Sequence, residues 1–155
     1  MTISMPPLAA LSTLLLAGYE QVVGRPLLPP DIPQADQSRW LYEDAPFCVL
    51  AHNTDADPRF VYANKAAQRC FEYSWDEFIT LPSRQSAEAP NRAERQRLLD
   101  AVTRNGFASG YRGLRVAKSG RRFWIEDCLV WQLTDADGSL RGQAATFPTW
   151  RDAAS

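Results

Sequence analysis

The sequence predicts an α+β fold: a five-stranded antiparallel sheet with short helices on one face, preceded by an N-terminal helical extension. Three observations carry this. The run Phe60 to Phe71 passes from β-branched and aromatic residues directly into helical spacing at Asn64, with no loop between. Glycine is absent from Arg25 to Asn105 and then occurs six times from Gly106 to Gly142, a change of texture from helices to hairpins. Two turn signals, Lys118-Ser119-Gly120 and Asp135-Ala136-Asp137-Gly138, divide that second half into strands.

Taken in order, the chain opens with the apolar run Leu8 to Ala17. No basic segment precedes it, as an export signal requires, and Ser12, Thr13, Glu20 and Gln21 keep it short of the ~18 apolar residues that span a bilayer. An amphipathic packing helix is predicted, entered at Pro6-Pro7 and ended by Gly24. Its stripe of Leu11, Leu14, Leu15 and Tyr19 needs an apolar surface; a second copy or a partner is the candidate, with the chain's own domain as the alternative. Four prolines from Pro26 to Pro33 make an extended linker. The domain is therefore bounded as residues 37–150, after a helix and linker over 1–36 and before a tail over 151–155.

Within it, Gln37 to Ala45 predicts a short helix carrying Trp40 and Leu41 inward. Phe47 to His52 and the run from Phe60 are the first two strands, joined by the turn-rich Asn53 to Pro58. Asn64 is placed to cap the following helix, because its side-chain oxygen can accept the unpaired N–H groups of a first turn. Ser74-Trp75-Asp76-Glu77 is a capping box that starts a second helix burying Trp75 and Phe78. Asn91 opens a third, to Asn105, with Leu98, Leu99 and Val102 on one face and Gly106 as its left-handed cap. The last three strands are Tyr111 to Ala117, Arg122 to Leu133, and Leu140 to Phe147.

At 155 residues the chain suits one domain, and a net charge of −1 leaves no nucleic-acid or anionic-membrane footprint. Three widely spaced cysteines make no disulfide framework and fit a reducing, cytoplasmic compartment. Cys48, Cys70 and Cys128 read as packing residues. Asp55 and Asp57 lack the calcium loop and read as turn residues. No metal cluster and no nucleophile–base pair can be assembled, so no catalytic residue is assigned and no enzyme is predicted. His52, the one histidine, closes the first strand and is expected to make a structural hydrogen bond rather than ligate haem.

The strand–cap–helix junction followed by Tyr73-Ser74-x-x-Glu77 resembles the PAS-type sensor domains. One branch fits more closely. Leu81-Pro82-Ser83-Arg84, Ala89-Pro90-Asn91-Arg92, Lys118-Ser119-Gly120-Arg121-Arg122-Phe123 and Gly142-Gln143-Ala144-Ala145-Thr146-Phe147 are similar to the MEKHLA domain family. That family comprises small stand-alone bacterial proteins and the C-terminal region of plant class III homeodomain–leucine zipper factors. The resemblance covers about Trp40 to Trp150 and extends to the N-terminal helix; the hexapeptide that names the family is absent. It implies a PAS-like fold, a sensory or dimer-regulating role, and no enzyme activity. Light-sensing PAS domains carry a reactive cysteine where Pro82-Ser83-Arg84 stands here, and a serine cannot form the flavin adduct. No cofactor is required by the sequence, and non-covalent flavin and haem are disfavoured.

A PAS-like cavity would lie between sheet and helices, with Tyr62, Phe78, Leu99, Tyr111, Asp127, Trp131 and Gln143 as its candidate lining. Asp127 shares strand parity with Ile125, Leu129, Trp131 and Leu133, which points it inward, towards Arg115 or Arg112 on the neighbouring strand. Trp124 and Trp150 read as core or interface. The predicted function is a signalling module that binds a small molecule and acts through protein contact, as a homodimer or on a separate partner. The alternative is an interaction domain with no ligand.

Overall fold

The computed structural model describes residues 8–86, 92–135 and 137–153. Helix α1 spans Leu8–Val23. After the linker, a short helix, α2 (Gln37–Arg39), continues into a single π turn over Trp40–Asp44, with Leu41 buried. Strands β1 (Cys48–His52) and β2 (Phe60–Ala63) follow, then α3 (Lys65–Phe71), α4 (Trp75–Phe78), a 3₁₀ turn over Ser83–Ser86 and α5 (Arg92–Asn105). Strands β3 (Phe107–Val116), β4 (Arg122–Thr134), β5 (Leu140–Phe147) and β6 (Thr149–Asp152) complete the chain.

All the strands form one antiparallel sheet in the order β2-β1-β5-β4-β3. The four-residue β6, whose last two residues fall in the stretch read from sequence as tail, pairs with the first half of β4, from Phe123↔Asp152 to Glu126↔Thr149. The second half of β4 pairs with β5, so Pro148 marks where one long edge is handed from one short strand to the next. Proline has no N–H for the ladder, which suits it to that break. β3 starts four residues earlier than Tyr111, directly after Gly106, whose φ of 86° and N–H bond to the Val102 carbonyl (2.7 Å) cap α5 as expected.

The helix caps explain why the local elements start where they do. Asn64 is fully buried and accepts at Oδ1 from the N–H groups of Ala67 (3.1 Å) and Val49 (3.0 Å). Its Nδ2 donates to the carbonyls of Leu41 and Phe47, both at 3.0 Å. One side chain thus caps α3 and ties the π turn to β1. Ser74 and Glu77 form the reciprocal capping box of α4 (3.2 and 3.0 Å). Asn91 lies outside the described residues.

The sheet separates two apolar cores. On one face, Cys48, Leu50, Phe60, Phe123, Ile125, Cys128, Val130 and Phe147 pack against α3, α4 and α5 through Ala67, Phe71, Phe78 and Val102. On the other, Val49, Ala51, Tyr62, Trp131, Leu133 and Ala144 lie under α1. This corrects the expectation for the N-terminal stripe. Leu11, Leu15 and Tyr19 are buried against the chain's own sheet and Leu14 is half-buried, so the stripe does not face a partner. Covering that face within one chain avoids the entropy of bringing two molecules together. Gly18 lets the helix approach closely: a Cβ there would stand 3.3 Å from the Trp131 ring, which Tyr19 meets edge-on at 5.1 Å.

Candidate functional site: a cavity on the inner sheet face

Between the inner face of the sheet and α5 lies a cavity of about 60 Å³. Its floor is apolar: Leu50 from β1, Phe147 and Ala145 from β5, and Ile125, Cys128 and Val130 from β4. Leu98 of α5 and Ser86 of the 3₁₀ turn line its other side. Besides Ser86, four polar side chains interrupt this lining: Tyr111 and Arg115 of β3, His52 of β1 and Gln143 of β5.

A β-bulge sets which residues of β4 reach the cavity. Arg115 pairs with Phe123 and Gly113 with Ile125, but Tyr111 pairs with Cys128, so one extra residue sits on β4 between the last two pairs. Asp127 takes it up in the left-handed region, at φ 54°, and is exposed. The extra residue reverses the alternation, so that Phe123 and Ile125 before it share a face with Cys128 and Val130 after it. Asp127 is therefore not the inward carboxylate that strict alternation predicts. Glu126, not Asp127, is the ion-pair partner on this strand, to Arg112 (3.5 Å) and Arg151 (3.2 Å).

The same reversal moves Trp131 out of the cavity to the face under α1, where its ring N–H is buried with no hydrogen-bond partner among the described residues. Tyr62 is also on that outer face, against Tyr42 and Trp75, and burial pushes its hydroxyl pKa upward. Phe78 is a core residue, stacked edge-on with Phe60 (4.9 Å) and Phe71 (5.6 Å), and does not line the cavity. The side chain of Leu99 is outside those described. Of the candidate lining whose side chains are described, Tyr111 and Gln143 are the two that the structure brings to the cavity.

Gln143 is held there by a close crossing of two backbones. At Gly142, φ is 152° and a Cβ would fall 1.9 Å from the His52 carbonyl oxygen, so only glycine fits beside β1. His52 and Gln143 are then directly opposite in the β1–β5 register. His52 Nδ1 lies 2.9 Å from the Asn53 carbonyl, to which it can only donate. Gln143 Oε1 is buried without a hydrogen-bond partner among the described residues. A buried acceptor left unpaired costs about 1–3 kcal/mol.

The MEKHLA domain model matches residues 9–152. The chain belongs to the MEKHLA domain family. A comparison with curated protein sequences finds no match. Among solved structures, the MEKHLA domain is similar to a PAS domain from Colwellia psychrerythraea at 16% identity and a TM-score of 0.65, over 78% of this chain and 98% of that one. It is similar to a PAS domain from a two-component sensor histidine kinase at 18% identity and TM-score 0.58, over 77% and 96% of the two chains. An RNA-binding light-oxygen-voltage receptor matches at 19% identity and TM-score 0.62, over 83% of this chain and 36% of the receptor. At these identities the likeness shows the fold, which is PAS-like.

In this MEKHLA domain the cysteines sit in the core. Burial pushes the Cys128 thiol up to about 12, against the opposing charge of Arg115. Burial, with Cys70 beside it, also pushes the Cys48 thiol up. Both are neutral packing groups near pH 7. Among the described residues, no group of three or more His, Cys, Asp or Glu is arranged to hold a metal ion, and no helix is long and apolar enough to cross a membrane. The residue that sequence reading missed is Arg115, considered there only as a counter-ion for Asp127. Its signal was present: one arginine between Leu114 and Val116 in an otherwise apolar stretch of strand.

Proposed function

We propose that this MEKHLA domain is a sensory module that takes up a small molecule in the inner-face cavity and reports it through protein–protein contact. The observation that carries the reading is the unpaired Gln143 oxygen in a largely apolar lining. A buried acceptor of that kind is satisfied when a guest, or a water that enters with it, supplies a donor. The cavity is far smaller than the roughly 300–1,000 Å³ of sites for drug-sized ligands, so the guest is small.

The sheet offers a route for output. On three strands, neighbouring residues serve opposite faces: Leu50 and Ala51, Val130 and Trp131, and Gln143 and Ala144. A guest that shifts the first member of each pair alters the seat of α1 formed by the second. Occupancy then biases α1 between its seated position and release, and a released α1 uncovers an apolar sheet face for another protein.

The test is to purify the chain under native conditions and record its absorbance and native mass together. A retained mass beyond that of the polypeptide, lost on denaturation, supports the sensory reading. A chain at polypeptide mass that no compound of a small-metabolite panel stabilises against heat supports an interaction domain without a ligand.

A further inference from the structure

Arg115 is 8% exposed, and its charge meets no carboxylate among the described residues. The contrast with more exposed arginines is direct: Arg84 pairs with Asp57, Arg112 with Glu126, Arg121 with Glu72 and Asp152, and Arg141 with Asp135. The Arg115 guanidinium donates to the Leu114 carbonyl (2.9 Å) and to the Tyr111 hydroxyl (3.4 Å), both uncharged. Cys128, also on the cavity wall, does not balance it, because burial keeps that thiol protonated at neutral pH. A buried cation without a counter-ion is costly, and a cavity beside it is where an anion would relieve the cost.

We propose that the Arg115 end of this cavity binds a short-chain monocarboxylate, its carboxylate on the guanidinium and its apolar tail on Ile125 and Val130. This rests on the reading of the cavity as a ligand site. Three features select the class. A guanidinium offers parallel N–H donors in a plane, which match a carboxylate edge to edge. One buried positive charge balances one negative charge, whereas a phosphate dianion would leave charge unpaired in the core. A volume of about 60 Å³ accommodates about four to six water-sized groups, the size of propionate or butyrate.

Tyr111 holds the arginine in place. Its ring lies along β3 over Gly113, where a Cβ would fall 2.5 Å from the tyrosine oxygen, and the missing side chain lets the hydroxyl reach Arg115.

The full chain is titrated calorimetrically with sodium butyrate and with butyramide, which has the same shape and no charge, and thermal unfolding is followed in parallel. Butyrate is expected to bind more tightly than butyramide by on the order of tenfold or more, and to raise the unfolding temperature. Arg115→Met, folded as judged by circular dichroism, is expected to reduce butyrate to the affinity of butyramide. If that variant does not fold, the butyrate–butyramide comparison on the unaltered chain decides alone. Equal binding of the two compounds, or unchanged butyrate affinity in Arg115→Met, overturns the carboxylate assignment and leaves the cavity reading standing. Binding of neither compound, with native mass spectrometry showing the bare polypeptide, overturns both.

Discussion

Asn64 shows how much of this fold depends on single side chains. Both its acceptor and its donor group are used, across three segments of chain. Asn64→Ala would leave the N–H groups of Val49 and Ala67 and the carbonyls of Leu41 and Phe47 without their partner. A loss of about 3 kcal/mol or more is expected, read as a lower midpoint in urea unfolding. Asn64→Asp keeps the acceptor but turns an oxygen towards two carbonyls, so it should not rescue the stability. Asp127 makes the opposite prediction. Because it occupies the left-handed bulge position and is exposed, Asp127→Gly should leave stability within about 1 kcal/mol, while Asp127→Val should cost about 1–3 kcal/mol. An inward, ion-paired aspartate would show the reverse order in the same unfolding assay. The cap at Asn64 was legible in the sequence because capping is local chemistry. The bulge was not, since alternation assumes an unbroken pleat, and only the adjacent charges Glu126-Asp127 within an apolar strand hinted otherwise.

Between elements, the turn from β3 to β4 is clipped to the end of α3. The carboxylate of Glu72 accepts from the Ser119 N–H (3.0 Å) and from Arg121 Nε (3.0 Å), and Arg121 also reaches the Cys70 carbonyl and Asp152. Hydrogen bonds from Ser119, and then from Arg121, hold the Glu72 carboxyl below its ordinary value of 4.5. A folded-state pKa below the unfolded one means that the contribution is complete above the ordinary value and disappears as pH falls through the lowered one. Unfolding temperatures measured from pH 7 down to pH 3 should therefore fall less steeply for Glu72→Gln than for the unaltered chain in the acid range. Parallel curves would show that the clip adds nothing. The elements themselves were readable from periodicity and turn chemistry, whereas β6 was not: four residues after a proline carry too little pattern to distinguish a strand from a tail.

For the whole molecule, the central fact is a sheet with a core on each side. Cys48, Cys70 and Cys128 are all in the inner core, with exposures of 0%, 3% and 1%. A thiol reagent such as 5,5′-dithiobis(2-nitrobenzoate) should accordingly modify all three at the rate of global unfolding, tracking the denaturant curve. Fast labelling of one cysteine in native buffer would reveal a separate opening of the inner core. The outer core explains why the N-terminal helix was legible as a helix but not in its destination. A stripe of apolar residues states that burial is needed and does not state on what.

The seating of α1 on its own sheet makes protein concentration a probe of conformation. Seated, the helix occupies the apolar area through which two copies would stack, so sedimentation should give a molecular weight that does not change on dilution. A chain shortened to begin at residue 25 bares Trp131, Leu133 and Ala144, and its weight-average mass should rise with concentration. Mass that stays constant on dilution for both chains would separate α1 from any control of assembly. If cavity occupancy loosens α1, the same loading series with and without ligand converts binding on one face into a mass-action signal from the other.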